Sequence, residues 1–293
     1  MPMPRTSHQN DIPALKALWK TVFGDRESII EAFFEHYYNP EFTIVQDCDG
    51  QLASACYLLP VGDFVLCDGN SFQCAMIYSV ATLPSFRGRG FGGDIVKYAV
   101  EHAQSLGYPA IVLCPSDDGL FAYYEKNTGF TDGFFADEAI ISINDIPEDG
   151  SVIINPITPN EYRAAREKFL AGIPHIAMNE RGISYQHHLS LESGGGLFAI
   201  ISGRKAIGCA AVEVADGDVC IKELLLDDEY SAMDVLSAVA AQVPAKNYTV
   251  RTPAGRRGSL GAKTRRFGMI ADISVKQGIA ASAGDAWFGF AFD

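Results

Sequence analysis

The chain has 293 residues, of which 48% are hydrophobic and 20% are charged. This composition is typical of a folded globular protein and excludes a disordered or fibrous chain, and the length fits two domains of about 140 residues each. Acidic side chains outnumber basic ones by 36 to 23, for a formal net charge of −13. That charge argues against a nucleic-acid partner, because it repels phosphates; it mildly favours a cationic substrate, although it also serves simply to keep a protein soluble.

The sequence does not predict insertion into a membrane. No apolar run reaches the roughly 18 residues that a membrane span needs, and the first ten residues, MPMPRTSHQN, lack the apolar core of a secretory signal. The seven cysteines never occur as C-x-x-C and lie mostly in apolar runs, so we expect free thiols, without disulfides or a zinc site. The predicted location is the cytoplasm, without a membrane partner.

The first part of the chain predicts two helices followed by strands. Apolar residues recur at helical spacing in IPALKALWKTVF and RESIIEAFFEHYY, whose aromatic side chains either pack on a core or line a substrate pocket. From Phe42 to Pro84, β-rich runs separated by Asp-Gly and Gly-Asn turns predict an antiparallel meander. After a glycine cluster, the pattern predicts an amphipathic helix from Phe91 that closes at Gly107, then a buried strand AIVLCP and a short helix DDGLFAYYEKN.

The strongest break in the middle of the chain is NDIPEDGS, residues 144–151. We therefore predict one domain at residues 1–147 and another at residues 148–293. The second half repeats the order of elements more weakly, with a hairpin LFAIISGRKAIGCAAVEV, a strand VCIKELLLD and a helix SAMDVLSAVAAQV. The turn before that helix reads LLLDDEYSAMD, without glycine, and its acidic residues would repel a phosphate group at the start of the helix.

The stretch RGRGFGG, residues 87–93, joins a strand to a helix and suits the binding of an anion. Glycine lacks Cβ, so the backbone can turn tightly and point several N–H groups at one anion at the positive end of the helix. By itself the pattern R-x-x-G-x-G also fits a purely structural turn. A dinucleotide fold needs G-x-G-x-x-G after its first strand, and a triphosphate loop needs G-x-x-x-x-G-K-[ST]. The string AGRRGSLGAKT at residues 254–264 is similar to the triphosphate pattern but departs from it, and it is interpreted as a basic surface loop.

Two segments in order resemble the GCN5-related N-acetyltransferases (GNAT). The stretch VATLPSFRGRGFGG is similar to the family's pyrophosphate-binding signature [QR]-x-x-G-x-[GA], and LFAYYEKNTGF at residues 120–130 is similar to its F-Y-E-K-x-G-F segment. The opening helices and the degenerate second half look most like the enhanced intracellular survival acetyltransferases, without room for their lipid-carrier-like domain. The resemblance implies an α/β (α+β) GNAT fold, a mixed and mostly antiparallel sheet flanked by helices, followed by a degenerate GNAT-like domain without a pyrophosphate loop.

The resemblance also implies an enzyme with one acetyl-CoA site, in the first domain. Acetyl-CoA would be the co-substrate, a primary amine on a small, cationic molecule the acceptor, and no metal would take part. Backbone groups of Val80, Ala81 and Thr82 would pair with the pantetheine arm, and one N–H would polarise the thioester carbonyl. The remaining implied cofactor contacts are Arg87, Gly88, Arg89, Gly90, Phe91, Gly92, Gly93 and Ser116.

Tyr124 resembles the tyrosine that protonates the departing thiolate as general acid in this family. The segment from Tyr124 to Gly129 is one residue longer than the family pattern, which leaves Tyr123 as a competitor. The general base stays open between the polar residues 116–118 after the strand AIVLCP and the carboxylate of Asp293, whose segment AWFGFAFD alternatively forms a packed terminal strand.

Two alternatives to catalysis stay open, a non-catalytic acyl-CoA-binding or sensing module and a structural turn without ligand. His187 and His188 are adjacent, do not converge on one metal, and are interpreted as ordinary polar residues. The identity of the amine and the oligomeric state, including a homo-oligomer, are also open.

Overall fold

The computed structural model of the chain describes residues 3–148, 150–256, 260, 262–274, 278–280 and 283–292. The chain divides into two compact units, each built from separate segments. The first unit consists of Met1–Asp63, Phe72–Asp132 and Gly268–Ser282, and the second of Phe64–Ser71, Gly133–Phe267 and Ala283–Asp293. The predicted domain limits at residues 147 and 148 lie within the second unit and stay a prediction, and residue 149, at the sequence break, lies outside the described residues.

The first unit contains the two predicted helices, which the structure confirms. Helix α1 (Ile12–Phe23) buries Leu15, Leu18 and Trp19 and ends at Gly24, whose φ of 76° is left-handed. Helix α2 (Glu27–His36) buries Ile30, Ala32 and Phe33. The apolar spacing in both segments thus reflects a face packed on the core.

The meander is also confirmed. The unit's strands up to this point are β1 (Arg5–Thr6), β2 (Thr43–Cys48), β3 (Gln51–Val65) and β4 (Ser71–Thr82), and they are neighbours in that order. Helix α3 (Phe91–Ser105) then connects β4 to β5 (Ala110–Leu113), which lies parallel to β4, and helix α4 (Asp118–Thr128) follows. A strand, a crossover helix and a parallel strand therefore surround the glycine cluster.

The antiparallel neighbour of β5 comes from far along the chain. It is the end of β13 (Lys263–Asp272), whose residues 269–272 pair with all of β5. Strand β6 (Thr131–Ser142), which follows α4, pairs instead with a strand of the second unit, β12 (Asn247–Pro253). The first unit thus includes the end of β13, from the second half of the chain, and the second unit includes most of β6, from the first half.

The second unit repeats the order of the first. Its other strands are β7 (Val152–Pro156), β8 (His175–Met178), β9 (Gly196–Ser202), β10 (Lys205–Ala215) and β11 (Asp218–Leu226), and its helices are α5 (Pro159–Phe169), α6 (Glu180–Ser193) and α7 (Ala232–Gln242). The strands lie in the order β6-β12-β11-β10-β9-β7. Helix α7 connects β11 to the parallel strand β12, as α3 connects β4 to β5. The predicted fold class, a mixed sheet flanked by helices, is confirmed.

The second unit also buries an ion pair. Arg166 Nε lies 2.9 Å from Glu223 Oε1, and both side chains are 0% exposed. Glu223 further accepts hydrogen bonds from the Tyr162 hydroxyl at 2.8 Å and from the Trp287 indole N–H at 2.5 Å. Arg166 donates to the carbonyl oxygen of Ile176 at 2.6 Å.

The terminal aromatic segment is part of this core. Residues 286–292 are buried in the second unit, whereas Asp293, whose carboxylate is a candidate base, lies outside the described residues. In the described part of the chain, no helix is both long enough and apolar enough to cross a membrane.

Candidate functional site

The carboxyl end of β4 continues beyond its parallel neighbour. Residues 74–77 of β4 pair with residues 110–113 of β5, and β4 then runs on to Thr82. Within this extension Ser79 has a φ of 48°, a left-handed conformation that is uncommon outside glycine and is often found at functional sites. Sequence reasoning missed Ser79, because nothing in the residue type indicates this conformation.

Residues 80–82 follow that distortion, and two of their carbonyl groups already have partners. The Ser54 hydroxyl donates to the Ala81 carbonyl at 2.7 Å and lies 2.9 Å from Thr82 Oγ1. Arg87 Nε donates to the Thr82 carbonyl at 3.2 Å. These bonds fix the end of the strand and attach the first arginine of the glycine cluster to it.

The glycine cluster adopts a backbone that only glycine adopts easily. Gly88 and Gly90 have φ values of 74° and 91°. Gly90 is also the N-cap of α3, and no side chain among the described residues accepts a hydrogen bond from the first turn of this helix. The N–H groups at the start of α3, at Phe91, Gly92 and Gly93, are therefore available to an anion, and the helix dipole adds positive potential there.

Both arginines of the cluster are exposed, and each is held by a neighbour. Besides the bond from Arg87 to Thr82, the Arg89 guanidinium lies over the rings of Phe86 and Phe91, at 5.0 and 5.4 Å from their centroids. Such cation–π contacts orient the guanidinium without neutralising it. Two positive charges therefore lie close to the uncapped start of α3.

The two tyrosines of α4 occupy different places. A Cβ atom built on Gly93 would lie 3.2 Å from the Tyr123 hydroxyl, and one built on Gly92 would lie 3.6 Å from it. The Tyr123 hydroxyl is thus at the first turn of α3, so the fold brings together the two segments on which the sequence resemblance depends. Tyr124 is only 7% exposed and packs edge-on against Phe130, with 6.3 Å between ring centroids.

Burial keeps both phenols protonated. It raises the pKa of the Tyr124 phenol well above its usual range, with smaller contributions from Cys56 and Tyr123. Burial also raises the pKa of Tyr123, and the nearby Asp94 carboxylate adds to the effect. The Tyr124 hydroxyl has no hydrogen-bond partner in the described residues, so its proton is available to a ligand that reaches it.

The polar residues after β5 are exposed, and one of them has a structural role. Asp117 is the N-cap of α4, and its Oδ1 accepts a hydrogen bond from the Leu120 N–H at 3.0 Å. Asp118 begins the helix, and Ser116 lies in the exposed turn before it. The cap explains why an acid stands at position 117, while Ser116 stays a predicted cofactor contact.

Residues 4–130 match the family model for the acetyltransferase (GNAT) domain. A comparison with curated protein sequences found no match. Among solved structures, the chain is similar to a probable N-acyltransferase from Enterococcus faecalis V583, with 15% identity over 94% of this chain and 73% of that chain and a TM-score of 0.70.

Two further structures are similar over nearly the whole chain. Eis1 from Mycobacterium abscessus is 10% identical over 93% of this chain and 74% of that chain, with a TM-score of 0.63. A tandem GNAT protein from the clavulanic acid biosynthesis pathway is 13% identical over 94% and 99%, with a TM-score of 0.57. These similarities show the fold, including its tandem form. The family match assigns residues 4–130 to an acetyltransferase domain of the GNAT family.

Proposed function

We propose that the protein transfers the acetyl group of acetyl-CoA to the primary amine of a small, cationic acceptor. The observation that carries this proposal is the position of Tyr123 of α4 at the uncapped start of α3, since its hydroxyl lies within 3.6 Å of a Cβ position on either Gly92 or Gly93. The GNAT family uses acetyl-CoA as its co-substrate, and a pyrophosphate bound at these amides would direct the thioester along the end of β4.

In the proposed reaction the neutral amine attacks the thioester carbonyl and forms a C–N bond. The carbonyl oxygen gains negative charge in the tetrahedral state, which a backbone N–H of residues 80–82 would stabilise. The C–S bond then breaks, and the departing thiolate takes the proton of the Tyr124 hydroxyl. The base that removes the proton from the ammonium form of the acceptor is not assigned, and its candidates are the polar residues 116–118, a water chain to a carboxylate, and the carboxylate of Asp293.

Tyr78, a partly exposed aromatic side chain on β4, fits a cationic acceptor, whereas its neighbours Trp19 and Phe33 belong to the core. Tyr78, next to the distorted Ser79, is half-buried, with its ring centroid 5.9 Å from that of Trp19 and 5.7 Å from that of Phe33. Aromatic faces attract ammonium groups, and the net charge of −13 attracts cations over a longer range. We also propose a cytoplasmic location, because all seven cysteines are free thiols, as a reducing compartment maintains them.

Release of free thiol from acetyl-CoA tests the proposal. A panel of polyamines, aminoglycosides and lysine peptides should contain amines that release coenzyme A at rates well above the rate of spontaneous hydrolysis. Tight binding of acetyl-CoA without thiol release from any of these amines would support the acyl-CoA-binding module instead.

A second test places the pyrophosphate. Gly92→Asp should weaken the binding of coenzyme A at least tenfold more than Gly92→Ala, because about 3 kcal/mol of repulsion is expected between two like charges about 5 Å apart at a partly exposed site. Both variants should fold, since a Cβ at Gly92 has only ordinary contacts, the nearest at 3.6 Å, and an acid in the first turn stabilises a helix. Calorimetric titration with coenzyme A measures the difference, and equal affinities for the two variants would contradict the placement.

A third test uses the pH dependence of the rate. Because the pKa of each phenol is raised, ionisation of tyrosine should not lower kcat at any pH up to about 10, the ordinary tyrosine value. The low-pH side of the pH–rate profile should instead report deprotonation of the amine or of its general base. A decrease in kcat below pH 10 that disappears in Tyr124→Phe would show that the phenol ionises earlier than its burial implies.

A further inference from the structure

The second unit contains a cavity of about 520 Å³ at the carboxyl ends of two parallel strands. Strands β11 and β12 pair at residues 219–221 and 248–250, and each then continues, to Leu226 and to Pro253. The volume lies in the range of small-molecule sites, about 300–1,000 Å³, and the ends of parallel strands are where such sites commonly form.

The cavity has the same place in the second unit as the predicted cofactor site has in the first, but its chemistry is opposite. Each lies after a strand that a crossover helix connects to a parallel neighbour. The start of α3 is uncapped, whereas α7 begins with a capping box, in which the Asp234 carboxylate accepts from the Ser231 N–H at 2.7 Å and from its hydroxyl at 3.0 Å. The carboxylate in the capping box disfavours a phosphate group at this position, although α3 also has an acid, Asp94, in its first turn.

Acidic side chains dominate the charged part of the cavity wall. Four carboxylates and one guanidinium line it, from Asp227, Asp228, Glu229, Asp234 and Arg256. Asp228 pairs with Arg256, and Asp227 lies 2.8 Å from Lys205 Nζ, but the two cationic side chains are 37% and 59% exposed and can move aside. The wall therefore keeps an excess of negative charge, which favours a cation.

The rest of the wall combines apolar side chains with hydroxyl groups from Tyr230, Ser231 and Thr252. The apolar lining includes Phe169, Ile173, Leu224 and Pro253. Thr252 is 8% exposed and follows Tyr248 and Val250 on the face of β12 that packs in the core. Its hydroxyl is a polar group of the cavity wall. A ligand with a polar atom can form a hydrogen bond with this hydroxyl, which can donate or accept.

We propose that this cavity is a second ligand site, which binds a small organic amine. The ammonium group lies among the carboxylates, the hydrocarbon part packs on the apolar wall, and Thr252 accepts or donates a hydrogen bond. The site is separate from the acetyl-transfer site and does not require it. An inorganic cation would use the carboxylates but neither the apolar wall nor the volume.

Calorimetric titration of the full chain tests the site, with hexane-1,6-diamine as the probe. Three matched ligands serve as controls. Hexane-1,6-diol has no charge, adipate has the opposite charge, and magnesium chloride has a cation without hydrocarbon. The diamine should bind, and its Kd should rise about tenfold in Thr252→Val and in Glu229→Gln, because each removes a hydrogen bond or a charge from the ammonium group. Glu148→Gln, an exposed acid outside the cavity, should leave the Kd unchanged.

Thiol release measured with the same variants distinguishes this site from the acetyl-transfer site, since both cavity variants should retain the wild-type rate with any accepted amine. The proposal is wrong if the diamine does not bind, if its Kd is the same in wild type and both cavity variants, or if the diol or adipate binds equally well. Magnesium binding that depends on Glu229 and competes with the diamine would replace the organic amine with an inorganic ion and would also overturn it.

Discussion

Tyr124→Phe should lower kcat for acetyl transfer by about 10²–10³-fold and leave the affinity for coenzyme A nearly unchanged, because a general acid contributes about 10²–10⁴ to the rate. The Tyr124 hydroxyl keeps its proton as a result of burial and has no protein partner in the described residues, and the substitution removes only this hydroxyl. The ring continues to pack against Phe130, so the melting temperature should change little. Steady-state kinetics of thiol release measure the effect.

Tyr123→Phe is the matched control. Its hydroxyl lies at the start of α3, so its loss should weaken coenzyme A binding more than it lowers kcat. If Tyr123→Phe instead lowers kcat a hundredfold or more while Tyr124→Phe does not, Tyr123 is the general acid, as the extra residue before Gly129 allows. If neither variant lowers kcat, proton transfer to the thiolate does not use α4.

Glu223→Gln should destabilise the protein by about 3–5 kcal/mol, because removal of one partner of a buried pair leaves the Arg166 charge paired only with the partly exposed Glu167, at 3.4 Å, among the described residues. Arg166 and Glu223 are both 0% exposed, and water cannot replace the lost carboxylate. The substitution also weakens the hydrogen bonds from Tyr162 and Trp287. Urea unfolding followed by tryptophan fluorescence measures the free energy directly, since Trp287 is part of this cluster.

The double variant Arg166→Met, Glu223→Leu serves as the control, because apolar residues of similar volume often replace a buried ion pair with little loss of stability. It should recover most of the stability that Glu223→Gln loses. If Glu223→Gln unfolds at the same midpoint urea concentration as the wild type, that result contradicts the role given to the ion pair. Equal losses in the single and double variants would show that the aromatic hydrogen bonds, and not the unpaired charge, determine the effect.

The parts of the fold that could be predicted from the sequence are those with a local cause. Glycine at positions 88 and 90 indicates the left-handed turn before α3, and apolar spacing indicates the helices on either side of it. The extra residue in α4 was visible too, but which tyrosine points toward α3 was not, because that depends on the packing of α4.

Features with a distant cause were not predictable. The residue type does not indicate the left-handed φ of Ser79, and the Arg166–Glu223 pair joins residues 57 apart in the chain. The pairing of β13 with β5 is more distant still, and apolar alternation in either strand does not specify the partner.

That pairing has a consequence for protein synthesis. Residues 110–113 leave the ribosome long before residues 269–272, which form the antiparallel neighbour of β5. At a translation rate of about 5–20 residues per second, roughly 10–30 s pass between the synthesis of β5 and that of its partner strand. During translation the acetyltransferase domain is therefore an unfinished sheet, and an open edge of this kind is a site where nascent chains can pair incorrectly. Completion of this domain depends on residues 269–272, although its motifs all lie before residue 131.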